Sequence, residues 1–417
     1  MRVLSDIADI VDCEHKTAPS CNIEDAYAFS VGTPSLRGDR IDLNEARPVN
    51  ESTYREWSKR KILAAGDIIL AREAPAGGVG YVTGSVPLCL GQRTVLVHAH
   101  RDEVEPRFLA YLLKSQEIQE WIRTRSSIGS TVGHLNVSDI KEIPISNLPK
   151  IGDQQTILEA ITPIDDLIDL NTSLRNELLA GASLIYSYWF QQFEFPSSNS
   201  STYRSSGGSF EFNNLLHREI PSGWAVGNLA VNRISKLIGP GISLFEGTKT
   251  YLATADVVGD AINSEASLIT YSNRESRADM EPTLNSIWFA KMKATKKSLF
   301  FGNSSKDLIE KIILSTGFQG IQCNEDSFEY LINIIVSDDF EKRKDLLAIG
   351  ATQEAINLEA MRFIPILEPP VNVLKDFHKV TKDYYSRIIE LDKTNLELRK
   401  LREWLVPRVL AGLIKVS

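Results

Sequence analysis

Gly129 to Ile145 reads GSTVGHLNVSDIKEIPI, and Gly350 to Ile366 reads GATQEAINLEAMRFIPI. The two 17-residue stretches align without a gap at a constant offset of 350 − 129 = 221 residues. Gly129 falls on Gly350, Thr131 on Thr352, Asn136 on Asn357, and Ile143-Pro144-Ile145 on Ile364-Pro365-Ile366. Leu135/Ile356, Val137/Leu358, Ile140/Met361 and Lys141/Arg362 pair similar side chains. Each copy is followed by a polar, proline-containing stretch and then a long segment of helical pattern. The duplicated unit is therefore a globular part plus a helix, roughly half the chain, and a doubled module suits a doubled ligand.

A chain of 417 residues exceeds what one hydrophobic core serves, so roughly two to three domains are expected, and two repeats fit. With 43% apolar and 24% charged residues the composition is that of a globular protein rather than a disordered or membrane chain. No apolar run reaches the ~18 to 20 residues of a membrane helix, and MRVLSDIADIVDCEH at the start lacks a basic region followed by an apolar one. A cytoplasmic protein without membrane contact is expected. Cys13, Cys21, Cys89 and Cys323 form no CxxC and lie near no histidine pair, so neither a zinc site nor a disulfide framework is indicated. The net charge of −8, from 46 basic and 54 acidic residues, argues mildly against nucleic-acid binding. Acid is segregated, however. It is frequent in the helical segments (Asp153, Glu159, Asp165, Asp166; Glu390, Asp392, Glu397), whereas Lys59-Arg60-Lys61, Arg123-Thr124-Arg125 and the run Lys291 to Lys297 lie in the globular parts and leave basic patches there.

Residues 1–150 mix short strand-like runs (Asp67 to Ala71, Thr94 to Val97) with turn signals, interrupted by one expected helix from Arg107 to Arg123. From 151 to 195 the texture changes. Ile157, Ile164, Asn171, Leu178 and Ile185 fall seven apart, flanked by Ile161, Ile168, Ala182 and Trp189, which is a heptad seam. Pro163 should kink this helix or move its start. Residues 196–215 belong to a Ser, Gly and Asn-rich stretch read as a flexible linker. A second globular part at 216–369 has short strands and a helix from Asp326 to about Val336, and 370–417 repeats the heptad with Phe377, Tyr384, Leu391, Leu398 and Leu405 beside Leu374, Ile388 and Asn395. Two seams, each bearing an Asn, favour an intramolecular antiparallel coiled coil. The expected fold is α+β: two modules of mixed strands with packed helices, joined by two long antiparallel helices and related by a pseudo-twofold duplication.

This order of module, helix, module, helix resembles the DNA specificity subunit of type I restriction-modification systems over nearly the whole chain. The resemblance is carried by Gly129-Ser130-Thr131 leading into Leu135-Asn136 and Ile143-Pro144-Ile145, and by Asp153-Gln154-Gln155. Pro221-Ser222-Gly223-Trp224, Ser315-Thr316-Gly317-Phe318 and the run from Leu401 to Gly412 (LREWLVPRVLAG) add to it. Where the first helix opens on Asp153-Gln154, the second has Pro370-Val371-Asn372-Val373, a departure that bears on where that helix starts. The resemblance implies two target recognition domains on double-stranded DNA and a helical ruler between them. It also implies two modification methyltransferase subunits docked on the helices and motor-nuclease restriction subunits. A helix pair of roughly 40 Å would suit half-sites about one ~34 Å turn apart.

Catalytic signatures are not found. Glu368-Pro369-Pro370-Val371 lacks both ends of an adenine methyltransferase motif, and Gly241 to Thr250 departs from a phosphate loop. Six histidines form no HExxH. A non-catalytic subunit with no cofactor and no metal is expected. Base readers are sought among Arg, Lys, Asn, Gln, Ser and Thr, and histidines beside them, on loops that can enter a groove. In the first module the candidates are His15, Lys16, Thr17, Arg37, Arg40, Arg72, Gln92, Arg93, Ser130, Thr131 and His134. In the second they are Lys236, Lys249, Lys296, Lys297, Gln319, Thr352 and Gln353. An interaction-only scaffold or antagonist that binds methyltransferase subunits without reading DNA is the other reading, favoured by the net charge.

Overall fold

The computed structural model describes residues 2–36, 40–126, 133–146, 148–196, 201–259, 261–262, 266–350 and 353–414. It divides into two compact units, one of Met1–Asp165 with Arg402–Ser417 and one of Asp166–Leu401. Arg37, Ser130, Thr131 and Thr352 lie outside the described residues.

In the first unit Ala8–Asp12, Thr94–Ala99, Ile68–Ala71 and Val79–Tyr81 form one four-stranded antiparallel sheet in that spatial order. Alternation along its strands decides what each face touches. Ile68, Leu70, Val95 and Val97 face a core shared with Phe108, Leu109, Leu113, Ile118 and Ile122 of the helices Pro106–Leu113 and Gln116–Ser126. Ile69, Ala71 and Leu96 face the other way, onto Val31, Leu88 and Leu90. Those belong to a second sheet in which Ala28–Val31 pairs parallel with Leu88–Leu90 and antiparallel with Arg47–Val49. The run IILA is apolar throughout because both its faces are buried. The single helix expected from Arg107 to Arg123 is broken after Leu113, where Ser115 restarts it by accepting the Gln119 amide at 2.9 Å.

The second unit repeats the plan. Ser235–Ile238, Phe318–Cys323, Ser286–Ala290 and Ser298–Phe301 stand in the same spatial order as the four strands above. Lys249–Leu252 pairs parallel with Ile312–Ser315 and antiparallel with Ser267–Ile269, as in the smaller sheet of the first unit. The repeated Ile-Pro-Ile closes each module. Pro144–Ile145 pairs with Arg2–Val3, and Pro365–Glu368 with Ala225–Asn228. The Leu4 amide donates to Ile143 and the Leu229 amide to Ile364, each at 2.9 Å.

The two long helices run over Ile151–Tyr186 (36 residues) and Val371–Leu410 (40 residues). Pro163 sits inside the first and does not move its start to 163. Buried Gln154 secures the opening turn: its side-chain oxygen accepts from the Glu105 amide at 2.8 Å, and its nitrogen donates to the Pro149 and Glu103 carbonyls at 2.8 and 3.3 Å. Within the first unit Asp165 takes Arg402 at 3.1 Å and accepts from the Tyr111 hydroxyl. Within the second, Asn171 donates to Asn395 at 2.9 Å, Arg175 pairs with Asp392 at 2.6 Å, and Trp189 lies 5.6 Å from Phe377. The first residue of each pair climbs as the second descends, so the helices are antiparallel. Ile161, Ile168, Ala182 and Trp189 are buried on the first seam, and Leu374, Phe377, Thr381, Ile388, Leu391 and Asn395 on the second.

The Ser-rich stretch read as a flexible linker is packed where it is described. Tyr203 stacks on Phe195 at 4.7 Å and donates to the Ser209 carbonyl at 2.7 Å, and Phe210–Asn213 forms a hairpin with Arg218–Pro221. A few aromatic side chains supply the anchorage that the surrounding serines conceal.

Two outcomes test these contacts. Asn395→Leu leaves the Asn171 amide buried without its partner and should lower stability by about 1–3 kcal/mol, whereas the double change to Leu should recover most of that loss, as read from urea unfolding. Burial raises the Glu329 carboxyl above its ordinary range, opposed by a 2.8 Å hydrogen bond from His378. The native state therefore binds more protons than the unfolded chain above the unfolded value of about 4.5, and stability from this group falls as pH rises past it. Glu329→Gln should flatten the decline in melting temperature between about pH 4.5 and neutrality.

Candidate nucleic-acid interface

Four segments of the first module end together beyond the larger sheet: the end of Ala8–Asp12, the residue after Ile68–Ala71, the turn before Thr94–Ala99, and the loop at Gly133–Leu135. Arg72 is 6% exposed there and cannot remain unpaired. Its Nη1 meets Asp12 Oδ1 at 2.8 Å, its Nε donates to the Leu135 carbonyl at 3.0 Å, and Nη2 lies 3.4 Å from His134 Nε2. Asp12 Oδ2 takes His15 Nε2 at 2.9 Å. Glu73 continues the chain, 3.5 Å from His134 Nδ1 and 3.6 Å from Arg93 Nε. His15, Asp12, Arg72, His134, Glu73 and Arg93 thus form one connected run in which the two acids each bridge two basic or imidazole groups. Two of its members hold left-handed backbone, His15 at φ 52° and Arg93 at φ 71°, an arrangement that the surrounding bonds maintain.

Beside this run opens a cleft of about 670 Å³ whose walls carry Thr17, Ser30, Thr33, Arg47, Gln92 and Arg93. Thr17 donates to Gln92 at 3.0 Å, and Gln92 donates to the His15 carbonyl at 3.4 Å. His15, Thr17, Arg72, Gln92, Arg93 and His134 are therefore gathered at one end of the module, with exposed Lys16 in the same loop. Arg40 is not among them: its guanidinium donates to the Asp165 carbonyl at 3.1 Å, at the first long helix. Asp12, Cys13 and His15 bring ligand-type atoms within 4.8 Å of one another. Both Asp12 oxygens are engaged by Arg72 and His15, so that group acts as a counter-ion.

In the second module the candidates are more dispersed. Lys236 is exposed on the strand Ser235–Ile238. Lys249 pairs with Glu281 at 3.3 Å and lies over the Phe245 ring at 5.1 Å, so the segment that resembled a phosphate loop has its lysine occupied. Lys296 and Lys297 sit on the loop after Ser286–Ala290. That loop is held by Lys296 on Asp338 at 2.7 Å and Lys297 on the Thr254 carbonyl at 2.7 Å. Fully buried Lys344 adds a bond to the Thr295 carbonyl at 2.8 Å. Burial lowers the Lys297 ammonium below the ordinary lysine range. Gln319 is buried, donating to the Ile238 and Gly320 carbonyls at 2.9 and 3.0 Å. It lines a cleft of about 560 Å³ with Lys291, Ile349 and Asn357, while Gln353 is exposed on the neighbouring loop.

Sequence reasoning missed Asp12, Glu73 and Arg47, and placed Lys291 only in a basic run and not among the candidate base readers. The acids were passed over because only donors and neutral amides were sought. Lys291 could have been found from Arg72, since each directly follows an apolar strand ending in alanine (Ile68–Ala71 and Ser286–Ala290). Arg72→Ala should destabilise the module by roughly 1–3 kcal/mol by removing a buried, bonded charge. Exposed Arg47→Ala should change stability by no more than about 0.5 kcal/mol. Chemical denaturation of both variants checks the contrast.

The sequence profile described as the type I restriction modification DNA specificity domain matches residues 2–180. The chain is 26% identical over 385 residues to the type I restriction enzyme MjaIX specificity subunit of Methanocaldococcus jannaschii, covering 89% of this chain and 82% of that protein. To the HindI specificity subunit of Haemophilus influenzae it is 21% identical over 410 residues, covering 85% and 87%. The crystal structure of a type I restriction-modification S subunit from M. genitalium superposes with a TM-score of 0.48 at 15% identity, over 98% of this chain and 95% of that one, a likeness too loose to add weight. The profile covers the first module and most of the first long helix, and the second module repeats the strand order of the first. By these sequence relationships the chain belongs to the family of type I restriction-modification specificity subunits.

Proposed function

We propose that this chain reads a bipartite double-stranded DNA target, one half-site per module, and carries the modification methyltransferase subunits that act on it. The reading parts are residues 1–150 and 216–369, the helical parts 151–195 and 370–417, with 196–215 connecting them. The observation that carries the proposal is the repeated strand order, which presents equivalent loops in two modules of one chain. Those loops differ chemically, Arg72 and Glu73 in one standing where Lys291 and Met292 stand in the other, so the two half-sites differ in sequence. For docking, Leu167, Leu170 and Leu174 leave an exposed apolar stripe at helical spacing on the first long helix. Motor-nuclease subunits complete the assembly that the family implies. No described helix is long and apolar enough to cross a membrane.

The decisive experiment co-expresses the chain with a cognate methyltransferase subunit in a host lacking adenine methylation and maps methylated adenines. A split motif with a constant gap is expected. A complex that forms and leaves DNA unmethylated overturns the proposal and favours an interaction-only scaffold, the reading that the net charge of −8 supports. Salt titration separates the two as well, since affinity resting on several phosphate contacts should fall by orders of magnitude between roughly 50 and 200 mM salt.

A further inference from the structure

Strand register makes Arg72 and Lys291 equivalent. Ala71 pairs with Thr94 and Ala290 with Phe318. The Arg72 amide donates to the Arg93 carbonyl and the Lys291 amide to the Gly317 carbonyl, each at 2.9 Å. The Arg72 carbonyl accepts from Leu135 and the Lys291 carbonyl from Ile356, each at 3.0 Å. The same register carries Asp12, opposite Val95, onto Gly239, one residue past the pairing of Ile238 with Gly320. Bridges between Glu73 and His134 and between Met292 and Ala355 complete the correspondence.

The electrostatics at the two positions are opposite. Arg72 has Asp12 against it and Glu73 next in line. Around Lys291 those acids are replaced by Gly239 and Met292, and among the described residues its ammonium has no counter-ion. It is half-buried in a cleft walled by Ile238, Pro240, Ile349 and Leu358. Burial and the nearby Arg277 guanidinium hold it below the ordinary lysine range. An unpaired, partly desolvated cation is unfavourable until a ligand brings an acceptor. Two amide side chains share the cleft: Asn357, whose oxygen accepts from the Ala360 amide at 2.8 Å, and Gln319, whose nitrogen is spent on two carbonyls and whose oxygen carries no bond among the described residues. A donor and an acceptor between apolar walls complement the major-groove edge of a G·C pair, where guanine presents O6 and N7 and cytosine its amino group.

We propose that Lys291 donates to the guanine of a G·C pair in the half-site of the second module, with the Gln319 oxygen accepting from the paired cytosine. Arg72 at the equivalent position is a positioning residue that organises the loops and does not contact a base. This rests on the DNA-reading role proposed above. Apolar walls favour a flat base edge over a phosphate, which would lose its hydration there without gaining other donors.

The test selects bound duplexes from a randomised library with the full chain assembled with methyltransferase subunits. Wild type, Lys291→Met and Lys291→Arg are compared, and thermal melting confirms that each variant folds. Lys291→Met should lose roughly 5- to 100-fold of the preference at a single G·C position, leave the other positions and the salt slope unchanged, and melt no lower than wild type. Lys291→Arg should retain the G·C choice. Unchanged preference in Lys291→Met overturns the proposal. So does an equal loss for all sequences with a salt slope smaller by about 1, the mark of a phosphate contact. A wild-type assembly that selects no sequence removes the DNA-reading role itself, and this proposal with it.

Discussion

The contact between Asn171 and Asn395 is the constraint on which the helical part depends. An apolar seam of Ile and Leu is tolerant of sliding, because one heptad offers nearly the same burial as the next. A buried amide is not. Each of these side chains finds a matching partner only at one register, where Asn171 donates to Asn395 at 2.9 Å and Asn395 reaches Thr172 Oγ1 at 3.3 Å. Any shift would bury two amides without partners, at a cost that burial elsewhere on the seam does not offset. Arg175 with Asp392 adds a charged tooth one turn away.

Within the first module a similar logic governs the loops. Four segments far apart in sequence are brought into a fixed arrangement by two carboxylates, Asp12 and Glu73, each shared between two cationic or imidazole partners. Acids here do the organising and bases do the presenting. That division accommodates the acidic net charge of the chain in a protein whose family reads DNA, because a carboxylate spent on a neighbouring arginine presents little repulsion to a phosphate.

Much of the architecture was legible in the sequence. The 17-residue repeat exposed the duplication, and the heptads located both helices and their seam asparagines. What escaped has physical causes. Pro163 was weighed against the helix start, but Gln154, saturated by three bonds, anchors the first turn regardless. The break after Leu113 was invisible because the apolar spacing continues across it. The packed Ser-rich segment was hidden by composition, its aromatic anchors being few. At the interface, donors were recognised by type, whereas their grouping depends on strand register between residues as distant as Asp12 and Arg72. Arg40 shows the limit: an exposed-looking loop arginine in sequence is a tether to the first long helix in space.

The pairing of Arg2–Val3 with Pro144–Ile145, and of Ala225–Asn228 with Pro365–Glu368, sets the entry and exit of each module side by side. A fold whose two ends meet in one short ladder closes on itself, and its last strand fixes where the long helix that follows begins. The interior residues that meet the helices, Glu105 and Tyr111 in the first module and Tyr330 and Asn333 in the second, are bound to that geometry, whereas the loops at the far end of each sheet are not. Loop exchange beyond those contacts would therefore leave the hold of each helix on its module undisturbed.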